Sequence, residues 1–348
     1  MSRVRLEDVA IEHKESLKKY KNGLPIVGLE HLTPMQIKLT KYDVNVETTF
    51  TKMFRKGNVL FGRRRAYLKK AVFAEFDGIC SGDIIVIEAL PGKIVPELLP
   101  FIIQNDNLFE YAVAQSAGSL SPRVKWEQLK KFEFELPEME KQKQLADLLW
   151  SIEDSKESYK NLINITDELV KSQFISEMDI WKRTGTGIEY KLGELTKIKT
   201  GKLDANASSI SGIYPFFTCS KEILKISSYS YDCECVLVSG NGELNVKYYN
   251  GKFDAYQRTY IVESKDKNKV IVPFLYRFLE QYVIVLKEQA IGGIIKYIKM
   301  ENLNDASIIV PSISEQNRFI QFAEQSDKSK IIHQKLFYAN KTEVNIYA

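Results

Sequence analysis

At 348 residues the chain has room for two domains, and 44% hydrophobic with 27% charged residues is a globular composition, which excludes a disordered or fibrous protein. A formal charge of +4, from 49 basic and 45 acidic side chains, is too small to establish a polyanion partner by itself. The longest apolar runs, Ile84–Leu90 and Tyr282–Leu286, fall far short of the ~20 residues of a membrane-spanning helix, the first residues carry no apolar secretion signal and four irregularly spaced cysteines make no disulfide framework, so a cytoplasmic protein away from the membrane is expected.

Taken in chain order, the pattern predicts a strand over Asp83–Glu88, a helix over Pro96–Phe109 and a half-buried strand over Phe132–Leu136 that closes at Pro137. A long helix follows, since no proline occurs between Pro137 and Pro215. Strands over Cys235–Ser239 and Tyr256–Val262, a helix over Pro273–Lys287 and a strand over Ala306–Val310 come next. After Pro311 no proline occurs at all, and a second long helix is expected there.

The second half repeats the first. Gly118, Lys125, Glu127, Leu129, Pro137 and Gln142 recur as Gly292, Lys299, Glu301, Leu303, Pro311 and Gln316, without a gap, at an offset of 174. Upstream the register shifts as loop insertions would shift it: Val59-Leu60 matches Val236-Leu237, Val95-Pro96 matches Val272-Pro273, and Leu6 matches Leu192. The chain reads as a tandem duplication, each copy a mixed α and β globular part followed by a helix.

The two helices carry a three-and-four stripe. In the first it runs Leu145, Leu148, Ile152, Ser155, Tyr159, Leu162, Thr166 and Leu169; in the second, Phe319, Phe322, Ser326, Ser329, His333, Leu336 and Asn340. Two related helices, each trailing its own domain, are expected to pair antiparallel as a coiled coil with a pseudo-twofold axis, Leu145, Leu148, Ile152, Leu162 and Leu169 meeting Phe319, Phe322 and Leu336. His333 has no ligand partners in the pattern and is read as structural.

Charge differs by segment: net +4 over 1–137, −3 over 138–187, +2 over 188–311 and +1 over 312–348. The basic residues cluster in Lys52-Met53-Phe54-Arg55-Lys56 and in Phe61-Gly62-Arg63-Arg64-Arg65-Ala66-Tyr67-Leu68-Lys69-Lys70. Cations interleaved with aromatics beside a glycine suit a loop that touches phosphates and bases. Signatures of chemistry are missing from the sequence. There is no Gly-x4-Gly-Lys-Ser/Thr, no His-Glu-x-x-His and no Pro-Pro pair of an amino-methyltransferase loop, and His13, His31 and His333 are far apart. Cys233 and Cys235 stand too close for a zinc knuckle and read as buried strand residues, while Asp254 with Glu263-Ser264-Lys265 is a weak nuclease pattern.

Several segments now resemble one family over essentially the whole chain: the DNA-specificity subunits of type I restriction–modification systems. Gly212-Ile213-Tyr214-Pro215-Phe216-Phe217-Thr218-Cys219-Ser220 with Tyr231-Asp232, Val236-Leu237-Val238-Ser239-Gly240-Asn241-Gly242 and Gly251-Lys252-Phe253-Asp254-Ala255 look like that family's target-recognition domain. Val310-Pro311 with Glu315-Gln316 looks like its domain-to-helix junction; in the first half Pro137 and Gln142 match while Lys141 replaces the usual Glu, and Phe61-Gly62-Arg63 is a looser match. The resemblance implies an α+β protein with two similar target-recognition domains, 1–137 and 188–311, separated by helices 138–187 and 312–348. It implies a subunit that does no chemistry, needs no cofactor of its own and reads a bipartite double-stranded DNA target. Its partners would be two methyltransferase subunits, which supply S-adenosylmethionine, and motor-nuclease restriction subunits.

The residues expected to face DNA are Arg63, Arg64, Arg65, Tyr67, Ser119, Ser121 and Arg123 in the first half, and Thr218, Ser220, Lys221, Ser239, Asn241, Gln257 and Arg258 in the second. Three alternatives stay open at this point. A specificity subunit of a type IIB-like enzyme would have the same sequence, a standalone nuclease would need a metal site, and a pure scaffold would show no DNA selectivity.

Overall fold

The computed structural model describes residues 2–18 and 23–347, the backbone alone over 333–347. It divides into two compact units, Met1–Lys160 with Gln334–Ala348, and Asn161–His333.

In the first unit, Ser2–Arg5 pairs antiparallel with Glu133–Leu136, and one helical turn, Leu6–Val9, buries Leu6 and Val9. The centre is an antiparallel sheet of β1 (Ala10–Glu12), β2 (Val59–Gly62), β3 (Ala71–Phe73) and β4 (Ile84–Ala89) in the order β1-β4-β2-β3. Successive side chains of a strand point to opposite faces. Val59, Phe61, Ile85 and Ile87 therefore enter one cluster under the helices, and Leu60, Val72, Ile84 and Val86 another. Burial on both faces is why Ile84–Ile87 reads as an unbroken apolar run rather than an alternation. The second face carries a small sheet of Ile26–Val27, Lys52–Phe54 and Gly78–Cys80. The helix expected over Pro96–Phe109 is broken: a 3-10 turn at Pro96–Leu98 and a helix Leu99–Ile103 are followed by a second helix, Asp106–Ala114. The break falls where the Gln104 amide donates to the carbonyls of Gln36 and Ala71 and where Asn105 caps the second helix by accepting from Asn107 N–H at 2.8 Å.

The second unit repeats this plan. Ile188–Lys191 pairs antiparallel with Ser307–Val310, so that Ser2↔Leu136 reappears as Ile188↔Val310. Its central sheet of β5 (Thr196–Thr200), β6 (Tyr231–Ser239), β7 (Val246–Ala255) and β8 (Thr259–Ser264) has the equivalent order β5-β8-β6-β7, extended by Tyr214–Phe217 and Leu224–Ile226. Helix Val272–Gln289 covers the face carrying Val236, Val238 and Val262. β8 begins three residues later than expected because Tyr256–Arg258 form a turn, with Thr259 N–H donating to Tyr256 O at 2.8 Å. Cys235 is fully buried and Cys233 half-buried on β6, and all four cysteines are free.

Two long helices complete the chain, α1 (Met139–Thr184, 46 residues) and α2 (Ile313–Tyr347, 35 residues). In the second unit they pair antiparallel. Asp167 meets Lys330 at 2.5 Å, the rings of Phe174 and Phe319 lie 5.1 Å apart, and Glu177 meets Arg318 at 3.4 Å, one numbering rising as the other falls. In the first unit Trp150 of α1 packs on Phe73 and Phe101 with centroids 5.3 Å away and donates Nε1–H to Glu97 O at 2.9 Å.

The buried face of α1 is one residue out of phase with the stripe expected from sequence. Leu148, Leu162 and Leu169 stay 43–52% exposed, whereas their neighbours Leu149 and Val170, with Ala146, Phe174 and Trp181, are buried. Leu145, Ile152 and Tyr159 are half-buried, and Leu145 packs on the core of its own unit. On α2, Phe319 is buried and Phe322 half-buried, but Ile320 and Ala323 are buried beside them. Apolar neighbours such as Leu148-Leu149 and Leu169-Val170 fit either phase of a helix, and the domain each segment lies on decides between them. The side chains of His333, Leu336 and Asn340 lie outside the described residues.

Candidate nucleic-acid interface

The basic run follows β2 directly. Arg63 N–H donates to Asp83 O at 3.0 Å, Arg64 forms an antiparallel bridge with Arg123, and Arg65 N–H donates to Pro122 O at 2.9 Å. Ala117 bridges Arg123 from the other side, closing the Gly118 loop. Two loops chosen separately from the sequence are thus one surface. Arg65 and Lys69 hold left-handed backbone, φ 56° and 50°, at the two ends of the 3-10 turn Ala66–Leu68, a strained conformation for non-glycine residues that tends to occur at functional positions. Arg65 and Tyr67 of this turn are exposed, the latter 54%. Ser119 is exposed in the loop, and Ser121 Oγ accepts from Arg64 Nε at 2.5 Å.

A residue that sequence reasoning missed sits beneath this surface. Asp83 takes Arg123 in a two-pronged pair, Oδ1 to Nε at 2.8 Å and Oδ2 to Nη2 at 3.3 Å, and lies 3.8 Å from Arg64 Nη1. Hydrogen bonding from Arg123, with the charges of Arg64 and Arg63 added, holds its carboxyl below the ordinary range despite partial burial. Arg63 Nε is buried with no hydrogen-bond partner among the described residues.

In the second unit the segments after β6, before β8 and around Thr218 converge at the corresponding sheet end. Asn241 bridges Tyr297, and Ile291 bridges Tyr297 from the other side. Gly240 N–H donates to Arg258 O at 2.8 Å, Gln257 N–H to Leu203 O at 2.8 Å, and Asn245 Nδ2 to Cys219 O at 2.8 Å. Ser220, Lys221, Gln257 and Arg258 are exposed and Asn241 is half-buried. Lys221 pairs with Glu243 at 2.6 Å. Two of the expected readers are turned inward. Thr218, 8% exposed, accepts from Ser220 N–H with its hydroxyl, and Ser239, 2% exposed, accepts from Asn245 N–H at 2.7 Å. Their hydroxyls shape turns instead of meeting solvent. Asn245 and Lys247, the latter donating to Ser220 O at 2.7 Å, organise these loops and carried no signal in the sequence.

The two surfaces correspond bond for bond. The bridges Arg64↔Arg123 and Ala117↔Arg123 recur as Asn241↔Tyr297 and Ile291↔Tyr297, and the bond Arg63 N–H to Asp83 O recurs as Gly240 N–H to Arg258 O. At the loop tips, Leu120 and Ile294 are both almost fully exposed. What differs is the side chains: arginines around a carboxylate in the first unit; Asn, Tyr, Gln and an arginine in the second. Elsewhere, Asp254 is buried and accepts from Ser230 Oγ at 2.6 Å, while Glu263 pairs with Lys199 at 2.6 Å. Among the described residues no three His, Cys, Asp or Glu side chains gather as a metal site would need, and no helix is long and apolar enough to cross a membrane.

The sequence model described as "Type I restriction modification DNA specificity domain" matches residues 2–166 and again 188–337. The type I restriction enzyme EcoDI specificity subunit of Escherichia coli is 44% identical over 126 residues, which is 36% of this chain and 28% of that relative, so the match spans little over a quarter of the relative's length. Two solved structures share the fold. A type I restriction-modification system S subunit from M. genitalium has a TM-score of 0.64 at 13% identity over 99% of this chain and 94% of its own. A chain from a structure on complex assembly and conformational transition of the type I R-M system has a TM-score of 0.60 at 17% identity over 99% and 95%.

Proposed function

Because the chain belongs to the family of type I restriction modification DNA specificity domains, we propose that it is a non-catalytic specificity subunit that reads a bipartite double-stranded DNA target and places methyltransferase and restriction subunits on it. Residues 1–137 and 188–311 do the reading, and the helical parts 138–187 and 312–348 set the spacing. It works in the cytoplasm, where that DNA lies. One observation carries this reading: two units present the same bridged loop pair on the same sheet end, with unlike side chains. A duplicated scaffold offers equivalent surfaces to two copies of a partner, while an arginine-rich loop and an Asn/Gln-bearing loop suit different base edges.

In the first unit Arg64, Arg65, Tyr67 and Arg123 meet the groove, with Ser119 and Ser121 beside them; in the second Ser220, Asn241, Gln257 and Arg258 do so, with Lys221 on phosphate. The test is the methylation-site logo of a methylation-free host that carries the full chain with its methyltransferase subunits. Arg65→Ala with Tyr67→Ala should degrade one half-site, and Gln257→Ala with Arg258→Ala the other. If neither pair alters the logo, these surfaces do not read the target.

A further inference from the structure

Asp83 and Arg258 occupy the same place in the two units. Gly62↔Ile84 on β2 and β4 corresponds to Ser239↔Thr259 on β6 and β8, so the residue just before β4 is Asp83 and the residue just before β8 is Arg258. The equivalent backbone bonds to Arg63 and Gly240 confirm the correspondence. At one fixed position the first unit carries a carboxylate beneath its loops and the second an exposed cation, which forms no ion pair among the described residues.

Resting on the reading surface proposed above, we propose that Asp83 is the positioning residue of the first unit's base readout, holding the Arg123 guanidinium as a pre-oriented fork and, by its charge 3.8 Å away, steadying that of Arg64, which Ser121 Oγ holds separately. An arginine has five N–H donors. Asp83 takes Arg123 Nε–H and one Nη2–H, which leaves both Nη1–H groups and the second Nη2–H to donate outward. Arg64 gives Nε–H to Ser121 Oγ and keeps its terminal nitrogens. A guanidinium fixed by its rear edge presents a flat front edge of the shape that takes two acceptors at once, as the O6/N7 pair of a guanine does. A free arginine would lose rotamer freedom on reaching that edge and could equally settle on phosphate. Asp83 thus removes a cation's worth of indiscriminate attraction and converts the remaining charge into direction. The second unit, with Arg258 at this place, lacks the device.

The experiment compares wild type, Asp83→Asn, Asp83→Glu and Arg123→Ala, each as the full chain with its methyltransferase subunits, by methylation-site logo and by binding to a random-sequence 30-base-pair duplex over a salt series. Asp83→Asn should lower discrimination at guanine-bearing positions of one half-site roughly five- to a hundredfold, the range for a two-pronged base contact. The other half-site should not change. Affinity for the random duplex should hold or rise, with a salt slope steeper by about one unit for the freed cation. Asp83→Glu should restore part of the discrimination, and thermal unfolding should stay near wild type because the Arg123 side of the pair is open to solvent, where an ion pair contributes little. A logo unchanged by Asp83→Asn, or both half-sites blurred together, overturns the proposal. If Arg123→Ala also leaves the logo intact, the loops do not read DNA at all and the proposal falls with that assignment.

Discussion

Gly118 and Gly292 hold the same backbone conformation, φ +112° and +118°, at the mouths of the two bridged loops. Only glycine adopts this region freely, so each loop begins at a place that no side chain can occupy without strain. The positions differ in space, however. A Cβ on Gly292 would lie 2.5 Å from Ile295 O, whereas on Gly118 it would meet nothing closer than Ser121 O at 3.5 Å. Gly118→Ala therefore carries backbone strain alone, roughly 1–3 kcal/mol, and Gly292→Ala adds a backbone clash. Hydrogen exchange at Tyr297 N–H, which donates to Ile291 O, should accelerate more in Gly292→Ala than exchange at Arg123 N–H does in Gly118→Ala. Equal acceleration would remove the clash from the account.

Gln142 and Gln316 tie the start of each long helix to its domain. Gln142 Oε1 accepts from Val95 N–H and its Nε2 donates to Pro137 O, both at 2.9 Å. Gln316 makes the same pair, to Ile271 at 3.1 Å and Pro311 at 2.9 Å, and a third bond to Lys269 O at 2.9 Å. Both are buried. Substitution by leucine strands these backbone groups at about 1–3 kcal/mol for each one left unpaired. Urea unfolding should show Gln316→Leu to be the more costly of the two; the reverse order would mean that water replaces the lost amide.

Cys80 is fully buried on the central strand of the small sheet, and burial pushes its thiol up to about 12. Unfolded, the same thiol titrates near 8.5. The folded state holds the proton over that interval, so its contribution to stability is complete below pH ~8.5 and is lost as pH climbs toward the folded value. At pH 8 iodoacetamide should label the half-buried Cys219 and Cys233 first and leave Cys80 unmodified until urea opens the unit. Peptide mass spectrometry reads this directly, and early labelling of Cys80 would show that the small sheet opens in the native state.

If the helices set the distance between half-sites, four residues inserted between Lys160 and Asn161 add ~6 Å of helix. At ~3.4 Å per base step the preferred gap should widen by one to two base pairs while the half-sites stay the same. This position leaves the Asp167–Lys330 pair and buried Val170 in place, which an insertion after Thr166 would disturb. Four residues also rotate the helix ~40° past a full turn, so some stability should be lost. An active variant with the parental gap would show that the helices are not the ruler.

The duplication was legible because its markers have backbone jobs. Gly118/Gly292, Pro137/Pro311 and Gln142/Gln316 are fixed by φ, by helix entry and by buried amide bonds, and so survive where surface residues drift. The helix period was legible too, but not its phase, since Leu148-Leu149 and Leu162-Ile163 offer two faces and tertiary packing chooses. Strands as short as Ile26–Val27 hold no periodic signal, and the small sheet went unseen. Of the proposed reading surface, the loop residues stood out by charge, while Thr218 and Ser239 face inward, which was not legible because a turn hydroxyl and an exposed one look alike in sequence. Asp83 was invisible because the arginine it holds is 40 positions away.

The bonds that fasten each loop to its sheet, Arg63 N–H to Asp83 O and Gly240 N–H to Arg258 O among them, run from backbone to backbone. Such bonds are indifferent to which side chain the residue carries. Attachment is therefore independent of the side chains proposed to read. Exposed positions such as Arg65, Gln257 and Arg258 can be exchanged in a lineage without loosening the loop, and two copies that began identical can drift to different targets on an unaltered frame. If these loops read DNA as proposed, a change of recognition sequence needs only this division: the main chain holds the frame, and the exposed side chains supply a vocabulary that can be rewritten without touching it.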